Sequence, residues 1–245
     1  MAKKISMKIA VVVCDEPVLK DEFGTYPEMI KEFLVRSGYY AIEIQAFDLF
    51  RRGELPDDPR KYAGIIITGS KYSVNDDDGW ICMLTRWIRV HWDDYCRVPL
   101  LGICFGHQII SRAFGAQVGR LDNWAFGYTE INVNEQVKLF KGRIVARIQS
   151  IHQEKVMSVP EGFLNIGSSE NCAIQGLYSE ARRILSFQGH PEVLSAYVIK
   201  LARTRHEQGI IDDITLRYVE SNSDRQIDSD LFSGLVIRFF IEKPS

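Results

Sequence analysis

The chain has 245 residues, of which 46% are hydrophobic and 25% charged, and its formal net charge at pH 7 is −2. This length suffices for one sizeable α/β domain or two small ones, and the composition is that of an ordinary globular protein. The nearly balanced charge gives no bulk reason to expect nucleic acid or an anionic membrane surface as a partner.

Hydrophobic periodicity predicts strands that alternate with helices through the first half of the chain. The first elements in chain order are a strand over residues 7–13, a helix from the N-cap Thr25 to Arg36, a strand over 41–47 and a polar connection over 51–61. We then expect a strand over 63–68 and a helix from about Gly79 to Tyr95. A strand over 98–103 follows and leads into a helix that ends at Gly115. This alternation favours an α/β fold with a doubly wound, mostly parallel sheet. Trp80, Trp87 and Trp92 are interpreted as packing residues.

The second half of the chain has a different pattern. Short strands and turns from Tyr128 to Gln188 predict a small antiparallel extension, which ends in a strand over 183–188. A helix over 192–207 follows, and after Gly209 we expect one or two helices packed on the outside. Without a convincing linker, the simplest prediction is a single domain over 1–245, with a core of about 7–208 and a C-terminal helical extension of about 209–245.

The cysteine pattern bears on the compartment. Five cysteines stand at positions 14, 82, 96, 104 and 172, an odd number without a Cys-x-x-Cys pair. This pattern predicts a reducing, cytoplasmic setting, with neither a disulfide framework nor a zinc site. No signal peptide and no apolar stretch of membrane-spanning length are evident.

The segment from Gly102 to Gln108, Gly-Ile-Cys-Phe-Gly-His-Gln, has the layout of a nucleophile elbow. Cys104 stands where a strand turns into a helix, and Gly102 and Gly106 allow a tight backbone there. The helix N-terminus favours the thiolate that a nucleophilic cysteine needs. The backbone N–H of Phe105 would face an oxyanion formed by attack of Cys104. The alternative is a buried structural cysteine.

A second segment, Gly-His-Pro-Glu at 189–192, follows the strand predicted over 183–188. In an extended chain His190 and Glu192 project from the same side, so the carboxylate can orient the imidazole. The imidazole can then take the thiol proton and later protonate a leaving amine. The alternative is a strand-end histidine followed by a Pro-Glu pair that caps a helix.

These two segments resemble the class I (triad) glutamine amidotransferases, over about residues 7–208. Gly102, Cys104, Gly106 and Gln108 match the family's Gly-x-Cys-x-Gly-x-Gln motif, and residues 190–192 match its His-Pro-Glu motif. Within that family the chain is most similar to stand-alone γ-glutamyl peptidase-like proteins, which share Gly-Ile-Cys-Phe-Gly-His-Gln, a Gly-Ser-x-Tyr loop and Gln-Gly-His-Pro-Glu. The resemblance implies a flavodoxin-like fold, with Cys104 as nucleophile, His190 as acid/base and Glu192 as the orienting carboxylate.

The resemblance also implies substrate contacts. The segment Gly69-Ser70-Lys71 takes the place of the family's Gly-Gly-Pro loop, which supplies a second oxyanion N–H, here that of Ser70. The chain departs from the family by having Ser70-Lys71 instead of Gly-Pro, and loss of the proline would loosen the loop. By resemblance, Gly69, Gln108, His152 and Gln153 hold the γ-glutamyl group; the alternative for His152 is a solvated loop histidine.

The leading hypothesis is hydrolysis of a γ-glutamyl amide through a glutamyl-thioester on Cys104, by a γ-glutamyl peptidase acting on glutathione or its conjugates, or by a glutaminase. Gly189 replaces a bulky phenylalanine common in the family, and we expect it to make room for a leaving group larger than ammonia. The alternatives are an ammonia-donating subunit with a separate acceptor chain, acyl transfer to another acceptor, and a non-catalytic regulatory subunit. No cofactor or metal is expected, because three consecutive acids (Asp76, Asp77 and Asp78) are more typical of a solvated face with an N-cap.

Overall fold

The structure is a computed structural model that describes residues 7–39, 41–93 and 96–242. Its strands are β1 Met7–Val13, β2 Ile42–Asp48, β3 Gly64–Ile67, β4 Leu100–Ile103, β5 Val118–Val133, β6 Val145–Val156, β7 Leu164–Asn165, β8 Gly167–Ser168, β9 Gly176–Ser179 and β10 Ile184–Phe187. Its helices are α1 Lys20–Phe23, α2 Tyr26–Val35, α3 Leu49–Arg52, α4 Gly79–Trp92, α5 Phe105–Ala113, α6 Ser195–Glu207, α7 Asp213–Ser221 and α8 Ser229–Ile241. Helix α4 stops short of its predicted end, Tyr95, which lies outside the described residues.

The central sheet has the strand order β2-β1-β3-β4-β10-β9-β7. The first five strands in that order are parallel, and β9 and β7 add an antiparallel edge. The predicted fold class, a mostly parallel sheet between layers of helices, is confirmed. Since β3, β4 and β10 are neighbours, the segments that follow them meet at one edge of the sheet.

Helices cover both faces of this sheet, because the strands alternate their buried side chains between two cores. One core joins Ile9 and Val11 of β1 to the apolar faces of α2 and α8. The other joins Ala10 and Val12 of β1 to Leu49 of α3 and to α4 and α5. Helix α2 begins at the predicted N-cap, where the Thr25 N–H donates to the Glu28 carboxylate at 2.7 Å. Trp92 is fully buried in the second core, as expected for a packing residue.

The antiparallel extension is confirmed, and β7, β8 and β9 are short as expected, but the extension does not start at Tyr128 and its first two strands are long. Strand β5 begins at Val118 and is 16 residues long, and it pairs with the 12-residue β6. A register shift between Arg120 and Ala125 interrupts the pairing of β5 with β6, and the two strands pair again beyond it as one antiparallel ribbon. The bulged segment contains polar residues that break the period-2 pattern, which explains why the sequence indicated shorter strands.

The C-terminal residues form two helices, α7 and α8. Helix α8 packs closely on the rest of the protein, because its side chains Phe232, Leu235, Val236 and Phe239 are fully buried or nearly so. It lies beside α2 and completes the helical layer on one face of the sheet. Among the described residues, no helix combines the length and the apolar character needed to cross a membrane.

Candidate active site

Cys104 links β4 to α5 in a backbone conformation that side chains rarely adopt. Its φ is +51° and its ψ is −100°, and hydrogen bonds hold it on both sides: its N–H donates to the Phe187 carbonyl at 2.8 Å, and its own carbonyl accepts from the Gln108 N–H at 3.0 Å. Such strain persists only where the surrounding structure enforces it, and it is concentrated at functional sites. The predicted strand–turn–helix elbow is therefore confirmed, and it presents the sulfur at the carboxyl edge of the sheet.

The two glycines of the elbow are required for close approach rather than for unusual backbone angles. A Cβ on Gly102 would lie 2.5 Å from the Gly106 carbonyl oxygen, and a Cβ on Gly106 would collide with the carbonyl oxygen of Ile67. Neither glycine has a positive φ, whereas Cys104 between them does. The glycines thus let α5 pack directly on the ends of β3 and β4, and the cysteine takes the strained turn.

His190 and Glu192 make the contact that their spacing predicted. The His190 Nδ1 lies 2.7 Å from the Glu192 Oε1, and both side chains are nearly inaccessible to solvent. Because a carboxylate only accepts, Nδ1 carries the proton and donates it. The His190 N–H donates to the Gln149 carbonyl of β6 at 2.7 Å, which fixes the backbone. The imidazole is thereby oriented by a carboxylate and by an adjacent strand.

The structure brings His190 to Cys104 across Gly69. A Cβ placed on Gly69 would lie 3.0 Å from the His190 Cε1 and 3.8 Å from the Cys104 Cβ. The imidazole therefore occupies the space beside the thiol that a side chain at position 69 would fill. Residues far apart in the sequence meet here because β3, β4 and β10 are adjacent.

The electrostatics single out His190 among the buried histidines. Burial lowers its pKa, but the negative charges of Glu192 and Cys104 outweigh burial and raise it to about 10. Burial lowers the pKa of His152 to about 4 and that of His107 to about 3, with a further lowering from a neighbouring imidazole in each case. At neutral pH the positive charge is therefore carried by His190, beside the sulfur.

The two candidate oxyanion donors lie on different elements. Phe105 is the first residue of α5, so its N–H has no partner within the helix. Ser70 follows β3 and lines the same cavity as Cys104. Both donors therefore lie at the carboxyl edge of the sheet.

Three glutamines form hydrogen bonds around the reacting groups. The Gln108 Nε2 donates to the Glu154 carbonyl at 3.1 Å and to the Gln188 Oε1 at 3.3 Å. The Gln188 Nε2 in turn points to the Cys104 sulfur at 3.7 Å. The sequence reasoning did not select Gln188 as a site residue, although its position two residues before His190 was a usable signal. The Gln149 amide donates to the Ser195 Oγ at 3.1 Å and supports the start of α6.

His152 and Gln153 lie on β6 at the cavity. His152 is only 3% exposed, so the alternative of a solvated loop histidine is wrong. Its Nδ1 donates to the Glu154 carbonyl at 2.9 Å, while its buried Nε2 has no partner among the described residues. The Gln153 Oε1 accepts from Arg120 at 2.7 Å. Both residues line the cavity with Gln108, whereas Gly69 lies beside His190 and Cys104.

A cavity of about 330 Å³ opens above Cys104 and His190, a volume typical of small-molecule sites. One part of its wall is polar and charged, and includes Asp15, Glu16, Lys71, Asp76, Arg120 and Glu154. Another part is apolar and aromatic, and includes Trp124, Phe126, Val193, Tyr197 and Leu201. The cavity can therefore hold a charged group and an apolar group at the same time.

Comparison with known proteins identifies the family. The family profile described as glutamine amidotransferase class-I matches residues 18–197. The chain belongs to the class I glutamine amidotransferase family.

Three individual similarities show how far the likeness extends. A glutamine amidotransferase-like protein of Schizosaccharomyces pombe is 30% identical over 249 residues, which cover 96% of this chain and 98% of that protein. Gamma-glutamyl peptidase 3 of Arabidopsis thaliana is 32% identical over 202 residues, or 78% of each chain. The crystal structure of a glutamine amidotransferase from Thermotoga maritima superposes with a TM-score of 0.72 at 18% identity and covers 97% of this chain and 100% of that one. The last likeness shows the shared fold.

In this member of the class I glutamine amidotransferase family, the expectation about Gly189 is wrong. A Cβ at this position would lie 2.8 Å from the Gln149 carbonyl oxygen and 2.8 Å from the Ile148 Cγ2. The missing side chain therefore makes room for β6 and not for a leaving group. Close contact with β6 aligns the His190 N–H with the Gln149 carbonyl.

The acidic residues at 76–78 do not share one structural role. Asp78 is the N-cap residue of α4 but makes no side-chain cap bond, and the Asp76 carboxylate accepts from the Ser73 N–H at 2.9 Å. Within residues 7–39, 41–93 and 96–242, no group of three or more His, Cys, Asp or Glu side chains is arranged to hold a metal ion.

Proposed function

We propose that this chain hydrolyses γ-glutamyl amide bonds through a glutamyl-thioester on Cys104. The observation that supports the proposal is the arrangement of Cys104, His190 and Glu192, in which a strained cysteine lies beside an imidazole held by a buried carboxylate. The raised pKa of His190 favours an imidazolium beside the Cys104 sulfur at neutral pH. That pair combines an activated nucleophile with a proton donor for the leaving nitrogen.

The first half of the reaction forms the thioester. The Cys104 sulfur attacks the γ-carbonyl carbon and forms a C–S bond, and the carbonyl electrons move onto the oxygen. As the intermediate collapses, the C–N bond breaks and His190 delivers its Nε2 proton to the departing amine. Glu192 keeps the imidazole oriented through Nδ1 throughout this step.

The second half releases glutamate. His190, now neutral, removes a proton from water, whose oxygen attacks the thioester carbon. The C–S bond breaks, the sulfur leaves as thiolate, and the imidazolium–thiolate pair is restored. In both halves the N–H groups of Ser70 and Phe105 would stabilise the oxyanion, a contribution of about 10²–10³ in rate for one such donor.

Substrate selection is the finer part of the proposal, and the apolar wall favours a peptidase over a glutaminase. Because His190 donates to the leaving nitrogen, the leaving group lies on the side of His190. Val193, Tyr197 and Leu201 follow His190 along the chain, and they line the cavity together with Trp124 and Phe126. Ammonia needs no apolar surface, whereas an amino acid or a conjugated cysteine side chain can bury apolar area there.

One experiment tests both levels of the proposal. Purified protein is given glutamine and glutathione in separate reactions, and release of ammonia, glutamate and cysteinylglycine is quantified, with C104A as the inactive control. We expect cysteinylglycine release to be the faster reaction and C104A to release neither product. Faster ammonia release would overturn the peptidase assignment, and equal turnover by C104A would overturn the mechanism itself.

The family description favours one second candidate, an ammonia-donating subunit that acts with a separate acceptor chain. This candidate predicts that glutamine is the better substrate. It also predicts that glutamine turnover rises on addition of the acceptor chain. The same product assay separates the two candidates.

A further inference from the structure

The loop that presents Ser70 is anchored where the family pattern has a proline. Lys71 stands at that position, and its backbone N–H donates to the Asp15 Oδ2 at 3.0 Å. The Lys71 Nζ also contacts the Asp15 Oδ1 at 3.2 Å. A proline has no N–H and could not make the first of these bonds.

Asp15 is a rigid point of attachment. It is 3% exposed and lies two residues beyond β1, which pairs with β2 on one side and β3 on the other. A hydrogen bond to an ionised carboxylate is shorter and stronger than one between neutral groups. Asp15 can therefore restrain the Lys71 peptide more firmly than a neutral acceptor could.

The residues before Ser70 are attached to the same end of β1. The Cys14 N–H donates to the Thr68 Oγ1 at 3.0 Å, and the Thr68 N–H donates to the Val12 carbonyl at 3.1 Å. The Thr68 hydroxyl donates to the Gly69 carbonyl at 3.0 Å. The peptide that bears the Ser70 N–H is thus held on its amino side by Thr68 and on its carboxyl side by Asp15.

We propose that Asp15 is a positioning residue that fixes the Ser70 N–H for the oxyanion by anchoring Lys71, and that this anchor replaces the conformational restraint of the family's proline. The inference rests on the proposed function, because it assigns a purpose to the oxyanion loop. It predicts a firm loop, in contrast to the expectation that loss of the proline loosens it. It also explains why a carboxylate is buried at the carboxyl end of β1.

Asp15 also lines the cavity, so its competing role would be direct binding of the substrate ammonium. The two roles predict different kinetics. A residue that binds the ground state and the transition state equally changes KM when it is removed, whereas a residue that positions an oxyanion donor changes kcat. The competing role also gives no reason for the effect to depend on what stands at position 71.

The test is a double-mutant cycle of D15A and K71P, with kcat and KM measured on the better γ-glutamyl substrate. We expect D15A to lower kcat about 10- to 100-fold, less than the loss of a whole oxyanion donor, with KM changed less than kcat. K71P alone should also lower kcat, because it leaves the Asp15 carboxylate buried without its partners. The double variant should recover to within about fivefold of wild type, since a proline restrains the loop without an acceptor.

Two further variants keep the test decisive if D15A folds poorly. D15N retains an oxygen that accepts from the Lys71 N–H and should lose less activity than D15A. K71M removes only the half-exposed ion pair and should cost about fivefold or less. Equal losses from D15A in the wild-type and K71P backgrounds, or an effect confined to KM, would overturn the positioning role.

Amide hydrogen exchange over residues 69–75 gives a readout that needs no turnover. We expect faster exchange in D15A than in wild type, and recovery in the double variant. If wild type hydrolyses no γ-glutamyl substrate while this exchange pattern holds, the proposed function fails and the anchor stands. If wild type is active but neither the exchange rates nor kcat change in D15A, the anchor fails and the proposed function stands.

Discussion

Gly69 leaves open the space that the imidazole of His190 occupies: a Cβ at position 69 would lie 3.0 Å from the His190 Cε1. Substitution of Gly69 by alanine should therefore push the ring away from Cys104. The ring has to move by only a few tenths of an ångström, and a displacement of about 1 Å at a reacting group can cost about 100-fold in rate, so we expect G69A to lower kcat by up to about 10-fold. Steady-state kinetics on the better γ-glutamyl substrate measures this effect. Gly79, whose Cβ would meet nothing within 4 Å, provides the control, and a loss of the same size in G79A would contradict the explanation.

Cys104 should be the residue that carries the acyl group. Brief exposure to substrate followed by intact-mass measurement should reveal one added glutamyl group, which peptide mapping assigns to Cys104. C104A should form no adduct, and its turnover should fall at least about a thousandfold, because the nucleophile is removed. Cys82 is exposed and lies on α4, so C82A should retain both. An adduct that still forms in C104A would contradict the thioester mechanism.

The pH–rate profile should report the environment of His190. Its pKa is raised to about 10, so the protonated imidazole persists at neutral pH and is lost as the pH rises through that value. We expect an alkaline limb near pH 10 in kcat/KM. E192Q removes a negative charge that raises this pKa, and the limb should move to lower pH. A limb that stays in place in E192Q would show that another group controls it.

Acid stability should depend on the two neutral buried histidines. The pKa of His107 is lowered to about 3 and that of His152 to about 4, both below the ordinary value of 6.5. Below pH 6.5 the unfolded chain binds protons that the folded chain does not, so their contribution to stability is lost as the pH falls from 6.5 toward these values. Between pH 6.5 and 5 each should cost about 2 kcal/mol of the free energy of unfolding. Urea unfolding at several pH values should show a shallower loss in H107Q than in wild type, and an equal loss in both proteins would contradict this explanation.

The apolar wall should distinguish leaving groups. Trp124 lines the cavity and packs against the apolar cluster that contains Phe126 and Tyr197, so W124A should remove apolar contact with a peptide leaving group. We expect KM for glutathione or a conjugate to rise about tenfold, which corresponds to about 1.4 kcal/mol, with little change for glutamine. The ratio of the two KM values corrects for any general loss of active protein. An equal change in KM for both substrates would show that the apolar wall does not recognise the leaving group.

Local patterns in the sequence predicted much of the fold and the centre of the site. The alternation of strands and helices follows from hydrophobic periodicity, and the elbow at Cys104 and the His190–Glu192 contact follow from short spacings. Local signals were weaker where long-range pairing decides the structure. The bulge after Arg120 hid a 16-residue strand, because the ribbon is held by β6 rather than by its own periodicity.

The sequence by itself determined which residue types could perform nucleophilic chemistry and where the chain could turn to present them, because both depend on neighbours within a few positions. Only the tertiary structure decided which distant groups meet. Strand order places Gly69, Cys104 and His190 at one edge, fills the space beside Gly189 with β6, and brings Asp15 to the Lys71 peptide. Those contacts join residues up to 121 positions apart, such as Gly69 and His190, and no local pattern specifies them because they arise from the packing of the whole sheet.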